Sequence, residues 1–470
     1  MPLRHLGARF TRSVVVFLAA SVALTSCPAN TESPTGQPNE KPKGDSPNVL
    51  VILTDDQRHD TISAMPKMRM VLESKGVTYK NGFVVNSLCC PSRASLLTGG
   101  YSHTTGVYSN GPPHGGFASF KDRSTIATWL QKRGYRTVLI GKYLNGYQNA
   151  EYVPPGWDEW YVFSSHPGNG GAFFQYSLSE NGNEVSYDHA ADDYSTDVLA
   201  RKAIDFIRET EEPFFMLFAP FAAHSGVAAP RHRSAYDDLR LPAPKAYGEK
   251  DVSDKPAWVR NRPPLGKFQT QSSRLETLLA VDDAIARIVR TLQRLRELEE
   301  TFILFTSDNG VSWGEHGWRL KEDPYDPSIR VPFIVRYDPV VGAQRTDEHL
   351  ALNIDIAPTI ADLAGTPTKT MDGRSLLPLL RDRNARWRKY FLIEHLHRRR
   401  PIPTYCGVRG LRYHYVQYST GEEELYEMPS DPAQLRNRAN DSRLRPVLRR
   451  YRARLRALCD PTPPGFEIRR

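Results

Sequence analysis

Short, continuous apolar segments constrain the fold of this chain more than any other feature of its sequence. Segments of this length, bounded by turn-forming residues, are typical of strands that are buried on both faces of a parallel sheet. Helical patterns precede several of them, at 124–133, 197–209 and 275–298. Alternating helices and strands predict an α/β fold with a mostly parallel central sheet. The apolar segments lie at 47–53, 135–142, 213–219 and 301–306.

The sequence pattern changes near residue 381. Segments 412–418 and 424–428 alternate between polar and apolar residues, which is typical of antiparallel strands. An arginine-rich segment at 443–458 then shows one apolar stripe at helical spacing. We therefore expect a large α/β domain over residues 48–380. A smaller α+β subdomain over residues 381–470 would pair a small antiparallel sheet with a helix.

The N-terminus has the pattern of an export signal. A basic start is followed by an apolar run at 14–24 that is too short to cross a bilayer as a permanent helix. The run ends in Leu24-Thr25-Ser26-Cys27, which resembles a bacterial lipoprotein box. Residues 1–26 would then be a lipoprotein signal peptide, and a lipid on Cys27 would hold the protein on a membrane at the bacterial cell surface. Residues 27–47 would form a flexible tether. The alternative is an ordinary secretion signal with an incidental cysteine.

The basic excess of the chain is local. The net charge is +9, and residues 386–470 contain 19 Lys and Arg against 9 Asp and Glu. This surplus has two interpretations, which are an electrostatic landing surface for a polyanion and the solvated face of an arginine-rich helix. We expect no nucleic-acid partner.

Oxygen-bearing side chains follow two of the predicted strands. Asp55-Asp56 comes after the first strand, and Asp308-Asn309 comes after the fourth. Because ligands bind at the carboxyl edge of open α/β sheets, we expect these four side chains to meet there. Their number and type suit a hard cation, Ca²⁺ in preference to Mg²⁺.

The sequence from residue 89 carries the most specific motif. It reads Cys89-Cys90-Pro91-Ser92-Arg93-Ala94-Ser95-Leu96-Leu97-Thr98-Gly99 and resembles the Cys-x-Pro-Ser-Arg…Thr-Gly stretch of the type I sulfatases. In that family a formylglycine-generating enzyme oxidises the first cysteine to an aldehyde, which hydrates to a geminal diol. The resemblance implies that Cys89 becomes formylglycine and joins the four side chains above at the metal. The alternative is a structural thiol pair at a helix start.

The resemblance also assigns roles to cationic residues that follow the strands. It implies that Arg93 orients the modified residue, and that Lys142 and Lys321 hold the sulfate. His224 would contact the sulfate and could protonate the leaving alcohol, although Lys321 is an equal candidate for that proton transfer.

One position departs from many arylsulfatases, which have Lys-x-His where this chain has Lys142-Tyr143-Leu144-Asn145. The missing histidine leaves the base for sulfate elimination open, with His103 and Asp56 as candidates. Two further cysteines, Cys406 and Cys459, could form a disulfide in an exported protein.

The likeness extends from about residue 48 to about residue 440 and implies an alkaline-phosphatase-like α/β sandwich. Motifs such as Lys321-Glu322-Asp323-Pro324-Tyr325 are similar to the N-acetylglucosamine-6-sulfatase and extracellular heparan-sulfatase branch. We therefore expect a sulfuric ester hydrolase acting on a sulfated carbohydrate, with substrate contacts in loops 313–323 and 166–171. The alternatives are a phosphoester or phosphonate ester hydrolase on the same scaffold, and a non-catalytic carbohydrate-binding lipoprotein.

Overall fold

The computed structural model describes residues 46–166, 172–366, 370–398 and 401–469. The predicted signal peptide, the predicted lipid site at Cys27 and nearly all of the predicted tether lie outside these ranges, as do residues 167–171 of one predicted substrate loop. Gly44–Arg470 forms one compact unit. In the described ranges, no helix has both the length and the apolar character needed to cross a bilayer.

The strands of the described residues form a ten-stranded sheet and a four-stranded sheet. The strands are β1 (Asn48–Thr54), β2 (Val77–Phe83), β3 (Arg136–Gly141), β4 (Glu159–Ser165), β5 (Tyr176–Glu180), β6 (Asn183–Tyr187), β7 (Phe214–Ala219), β8 (Thr301–Ser307), β9 (Phe333–Arg336), β10 (Arg345–Leu352), β11 (Tyr390–His395), β12 (Tyr405–Gly410), β13 (Tyr413–Tyr418) and β14 (Glu423–Glu427). The large sheet has the order β10-β2-β9-β8-β1-β7-β3-β4-β5-β6, and the small one has the order β11-β12-β13-β14.

Helices cover both faces of the large sheet. Side chains of β1 alternate between two apolar cores, because successive residues of a strand point to opposite faces. Helices α5 and α7 contribute to one core, and α2, α4, α9 and α10 contribute to the other. The α-helices are α1 (Pro66–Val71), α2 (Cys89–Thr98), α3 (Ser102–Thr105), α4 (Ile126–Gln131), α5 (Ser195–Glu209), α6 (Ala257–Arg260), α7 (Ser272–Arg294), α8 (Asp326–Ile329), α9 (Ile356–Leu363), α10 (Leu377–Arg381) and α11 (Arg445–Leu458).

The four strands predicted from apolar segments are neighbours at the centre of the sheet. They follow the order β8-β1-β7-β3 and all pair in parallel. The predicted α/β sandwich with a mostly parallel sheet is therefore confirmed. Strands β5, β6 and β9 run antiparallel to their neighbours and were not predicted.

The small antiparallel sheet predicted near the C-terminus is also present, and it contains two more strands, β11 and β12. The apolar side of α11 packs on this sheet through Leu448, Tyr451 and Leu455. Cys406 and Cys459 are joined by a disulfide that connects β12 to the end of α11. The outer side of α11 carries exposed arginines, at positions 445, 449, 450 and 456.

Candidate active site

The carboxylates that follow β1 and β8 meet at the carboxyl edge of the large sheet. The register pairs Thr54 with Ser307, so Asp55 and Asp308 begin the loops at the same level. The backbone N–H of Asp56 donates to Oδ1 of Asp308 over 3.2 Å. Asp56 adopts a left-handed backbone conformation with φ of 58°, which turns its side chain into the same cluster as its neighbour.

The acidic cluster has the composition of a hard-cation site. Carboxylate oxygens of Asp55, Asp56 and Asp308 and the Sγ of Cys89 all lie within 4.8 Å of one another, and all four residues are buried. The side-chain Oδ1 of Asn309 is also buried and has no hydrogen-bond partner among the described residues, while its Nδ2 donates to Asp56 over 2.6 Å. A buried oxygen without a partner beside three carboxylates fits a divalent cation that prefers oxygen ligands.

Helix α2 begins at Cys89 and presents this residue to the cluster. The Sγ of Cys89 lies 3.8 Å from Oδ1 of Asp55, and its side chain is buried. The N–H of Cys90 donates to Oδ1 of Asn110 over 2.9 Å, which fixes the first turn. Gly99 ends the helix in a left-handed conformation.

Three buried cations surround the carboxylates. Arg93 donates from Nε to Oδ2 of Asp308 over 2.8 Å and from NH1 to the carbonyl of Lys142 over 2.7 Å. The ammonium of Lys142 binds Asp55, and the ammonium of Lys321 binds Asp56. Arg93, Lys142 and Lys321 therefore balance the three carboxylate charges inside a buried site.

The charges of the cluster shift the ionisation of its members. Burial opposes the ionisation of Asp55 and Asp56, but the neighbouring lysines hold the pKa of both carboxyl groups below the usual range. Burial and the charge of Asp55 raise the pKa of Asp308. Burial disfavours the charged form of Lys321, yet Asp56 and Cys89 outweigh it and raise the pKa of Lys321 well above its usual value.

Cys89 is not prepared to act as a thiolate. Burial raises the pKa of its thiol to about 11, although Lys142 and Lys321 favour the charged form. Reactive cysteines have a depressed pKa, so the unmodified thiol of Cys89 would be a poor nucleophile at neutral pH. Burial also raises the pKa of Cys90, to about 12, and this side chain packs in the apolar core.

Lys142 owes its position to Gly141, the last residue of β3. Gly141 has φ of 117°, and a Cβ at this position would lie 2.1 Å from the carbonyl oxygen of Ala219. The N–H of Lys142 then donates to that carbonyl over 2.8 Å. Its ammonium lies 4.8 Å from the centre of the Phe221 ring. The close approach of β3 and β7 thus aims Lys142 at the cluster.

The small sheet holds the loop that carries Lys321. Tyr325 donates its hydroxyl to the buried Glu424 of β14 over 2.8 Å. Tyr405 of β12 donates to the carbonyl of Glu322 over 2.9 Å. The C-terminal sheet therefore supports the active-site loop as well as its own core.

A pocket of about 830 Å³ opens above the cluster. His224 lies in its wall, with Nε2 at 3.6 Å from Oδ2 of Asp56. Arg274, which the sequence analysis missed, donates to the carbonyl of Ala223 over 2.9 Å and to the hydroxyl of Ser225 over 2.6 Å, and so holds both neighbours of His224. The lining residues are Asp56, Cys89, Asn110, Lys142, Tyr143, Leu144, Asn145, Gly146, Tyr147, Gln148, Phe163, Ser164, Ser165, His166, Glu184, Phe221, His224, Ser225, Arg274, Val311, Leu320 and Lys321.

Of the two candidates for the missing base, Asp56 lies at the site and His103 does not. Asp56 lies in the cluster, whereas Nδ1 of His103 is bound to Glu394 over 2.9 Å and His103 does not line the pocket. Leu144 stands at the histidine position of the Lys-x-His motif, and both Leu144 and the adjacent Asn145 line the pocket. Of the two predicted substrate loops, the loop 313–323 contributes Leu320 and Lys321 to the lining, and the described part of the loop 166–171 contributes His166.

Comparison with known families gives two matches. The profile described as Sulfatase matches residues 47–366. The profile described as N-sulphoglucosamine sulphohydrolase, C-terminal, matches residues 314–460. The first match spans more than half of the chain.

Curated relatives carry related names. The chain is 35% identical over 376 residues to human N-acetylglucosamine-6-sulfatase, covering 74% of this chain and 67% of that protein. It is 34% identical over 379 residues to the extracellular sulfatase SULF-1 homolog of Drosophila melanogaster, covering 75% of this chain. The match spans only 33% of that second, longer protein.

Solved structures share the fold. BT4656, solved in complex with its substrate D-glucosamine-2-N,6-O-disulfate, superposes with a TM-score of 0.79 at 24% identity, over 89% of this chain and 99% of that one. The phosphonate monoester hydrolase of Agrobacterium radiobacter superposes with a TM-score of 0.71 at 22% identity, over 88% and 96% of the two chains. The Sulfatase profile over residues 47–366 and the human relative together establish that the chain belongs to the sulfatase family and is a sulfatase enzyme.

Proposed function

We propose that this enzyme removes sulfate from a sulfated sugar by using a formylglycine derived from Cys89. The observation that carries the proposal is the position of Cys89, whose Sγ lies among three carboxylates and 2.7 Å from the ammonium of Lys321 at the base of an open pocket. A buried thiol with a raised pKa has little chemical use there, whereas an oxidised and hydrated side chain would present oxygen to the same neighbours. A formylglycine-generating enzyme is therefore a partner during maturation.

The acidic cluster supports a divalent cation, and we propose Ca²⁺. Asp55, Asp56, Asp308 and the unpartnered Oδ1 of Asn309 would hold it, together with residue 89. When bound, the cation lowers the pKa of a coordinated hydroxyl and polarises a sulfate oxygen.

We propose different roles for the basic side chains of the site. Arg93 donates a hydrogen bond to Asp308 and lies one helical turn after residue 89 on α2. This position suits a role in orienting residue 89. Lys142 and Lys321 would bind the sulfate oxygens. His224 is the better candidate for protonating the leaving alcohol, because it faces the pocket and its side chain is 28% exposed, against 8% for Lys321. Lys321, by contrast, holds its proton tightly, because its pKa lies well above the usual value.

The relatives support a 6-sulfated amino sugar as the substrate class. Human N-acetylglucosamine-6-sulfatase is similar over most of both chains, and BT4656 binds a glucosamine that carries a 6-O-sulfate. A relative named as an extracellular sulfatase supports export. We propose that Cys27 carries the lipid that anchors the exported protein at the bacterial cell surface.

A phosphonate or phosphate ester hydrolase is the second candidate, because the phosphonate monoester hydrolase of A. radiobacter has the same fold and its ester group is also tetrahedral and anionic. The test compares kcat/KM of the matured enzyme for matched aryl sulfate, aryl phosphate and phenyl phosphonate esters, together with sulfate release from N-acetylglucosamine-6-O-sulfate. We expect sulfate esters to be preferred. Faster cleavage of the phosphorus esters, without sulfate release from the sugar, would replace the proposed function by the second candidate.

A further inference from the structure

The pocket has two walls of opposite character. On the side of the cluster, Lys142, Lys321 and Arg274 approach Asp55 and Asp56. The ring of His166, which also lines the pocket, packs edge-on against the ring of Phe221, with 5.2 Å between the ring centroids.

The other wall carries the carboxylate of Glu184, on the edge strand β6. Its Oε1 accepts a hydrogen bond from the hydroxyl of Ser164 over 3.0 Å, and both residues line the pocket. Glu184 is exposed, and no ion pair to it is found among the described residues. The wall therefore presents a negative charge together with the polar groups of Ser164, Ser165 and Gln148.

The sheet register fixes the separation of the two walls. Gly141, which precedes Lys142, pairs with Val162, which pairs with Ser179, which in turn pairs with Glu184. Three strand spacings place the backbone of β6 about 14 Å from that of β3. Both side chains line the same pocket, so a sugar held by its sulfate near Lys142 reaches toward Glu184.

We propose that Glu184 is a specificity-determining residue that selects a monosulfated sugar whose other substituents near this wall are uncharged. The proposal rests on the proposed function and names the substrate class of the same pocket. A carboxylate accepts hydrogen bonds from sugar hydroxyls and from the N–H of an acetamido group, and it repels a second sulfate. The substrate of BT4656 has such a second sulfate on nitrogen. This enzyme therefore prefers an acetylated amino group at that position.

The test uses two sugars that share the 6-O-sulfate, N-acetylglucosamine-6-O-sulfate and glucosamine-2-N,6-O-disulfate. Their binding to the inactive Cys89→Ala protein is measured by calorimetry, and their turnover is measured with the matured enzyme. We expect the acetylated sugar to bind about tenfold more tightly than the disulfated sugar and to be turned over with about tenfold higher kcat/KM. This is the size expected for the repulsion of two like charges about a sugar's width apart at an intermediate dielectric. Adding Glu184→Gln to each protein should bring both ratios close to one.

Glu211→Gln is the matched control, because Glu211 is exposed and does not line the pocket, and the charge change is the same. It should leave both ratios unchanged. The role of Glu184 would be overturned if the two sugars bound equally to the Cys89→Ala protein that retains Glu184. A preference for the acetylated sugar that survives Glu184→Gln would also overturn it. A binding preference without sulfate release from either sugar would support Glu184 and instead overturn the proposed function.

Discussion

The ammonium nitrogen of Lys321 lies 2.7 Å from the Sγ of Cys89 and also binds the carboxylate of Asp56. A residue from the loop after β8 thus closes over the first residue of α2. Because Asp56 and Cys89 raise the pKa of Lys321 well above its usual value, chemistry at residue 89 takes place beside a fixed positive charge. This relationship supports the proposed roles, in which Lys321 stabilises charge and His224 donates the proton.

Removing the carboxylate of Asp308 should weaken cation binding strongly. Its carboxylate is one of three in the cluster, and it also accepts hydrogen bonds from Arg93 and from the N–H of Asp56. We expect Asp308→Ala to weaken Ca²⁺ binding by at least about a hundredfold, more than the loss of a group that only supports a ligand. Calorimetric titration of Ca²⁺ into chelator-treated protein measures this loss. Wild-type affinity in the variant would contradict the proposed site.

The metal-free protein should remain folded. Arg93, Lys142 and Lys321 already balance the three carboxylates, so removal of the cation leaves no excess buried charge. Circular dichroism in the presence of chelator should retain the native spectrum while turnover is lost. Unfolding by the chelator at room temperature would show that the cation is structural.

Truncating His224 should lower kcat most for sulfate esters that have a poor leaving group. If His224 protonates the departing alcohol, His224→Ala should lower kcat for a sugar sulfate by about a hundredfold or more. An activated aryl sulfate needs little protonation of its leaving oxygen, so its kcat should fall much less. Arg274→Gln, which loosens the backbone around His224, should show the same pattern in weaker form. An equal loss for both esters in His224→Ala would remove the acid role.

His414 should make the fold sensitive to mild acid. It is fully buried in β13, with Nδ1 bound to the amide of Gln434 over 2.9 Å. Burial, with the charge of Arg409, lowers its pKa to about 3 from 6.5. As the pH falls, His414 therefore takes up a proton in the unfolded chain before it does so in the folded protein. The stability that depends on a neutral His414 is complete above pH 6.5 and declines as the pH falls toward 3. The expected slope is about 1.4 kcal/mol per pH unit.

Urea unfolding between pH 6.5 and 5.0 measures that slope. His414→Asn keeps an acceptor for Gln434 and removes the titrating ring, so its free energy of unfolding should fall less steeply with pH than that of the wild type. The comparison concerns slopes, because the smaller side chain also lowers stability at every pH. Parallel slopes would show that His414 does not titrate differently in the two states.

The centre of the fold and of the site could be predicted because both depend on local patterns. Continuous apolar segments allow few alternatives to buried parallel strands, and parallel strands bring their carboxyl ends to one edge. Asp55 and Asp308 met for that reason, through the pairing of Thr54 with Ser307. The motif that begins at Cys89 added the residue that completes the cluster.

The residues that were missed reach the pocket through tertiary packing. Arg274 lies at the start of α7, and only the approach of that helix to the segment around His224 brings its guanidinium into the wall. Glu184 lies on β6, a short and mostly exposed strand without the apolar pattern that would predict one. The sequence contains no signal for the row of paired residues that leads from Gly141 to Glu184.

Mass spectrometry of the peptide that contains residue 89, taken from protein matured in its native host, tests the central claim most directly. Conversion of Cys89 to formylglycine replaces the thiol by an aldehyde, so the peptide should lack sulfur at this position and react with a hydrazide probe. The neighbouring Cys90, buried in the core, should keep its thiol and serves as the internal control. An intact thiol at residue 89 in catalytically active protein would contradict the proposed chemistry.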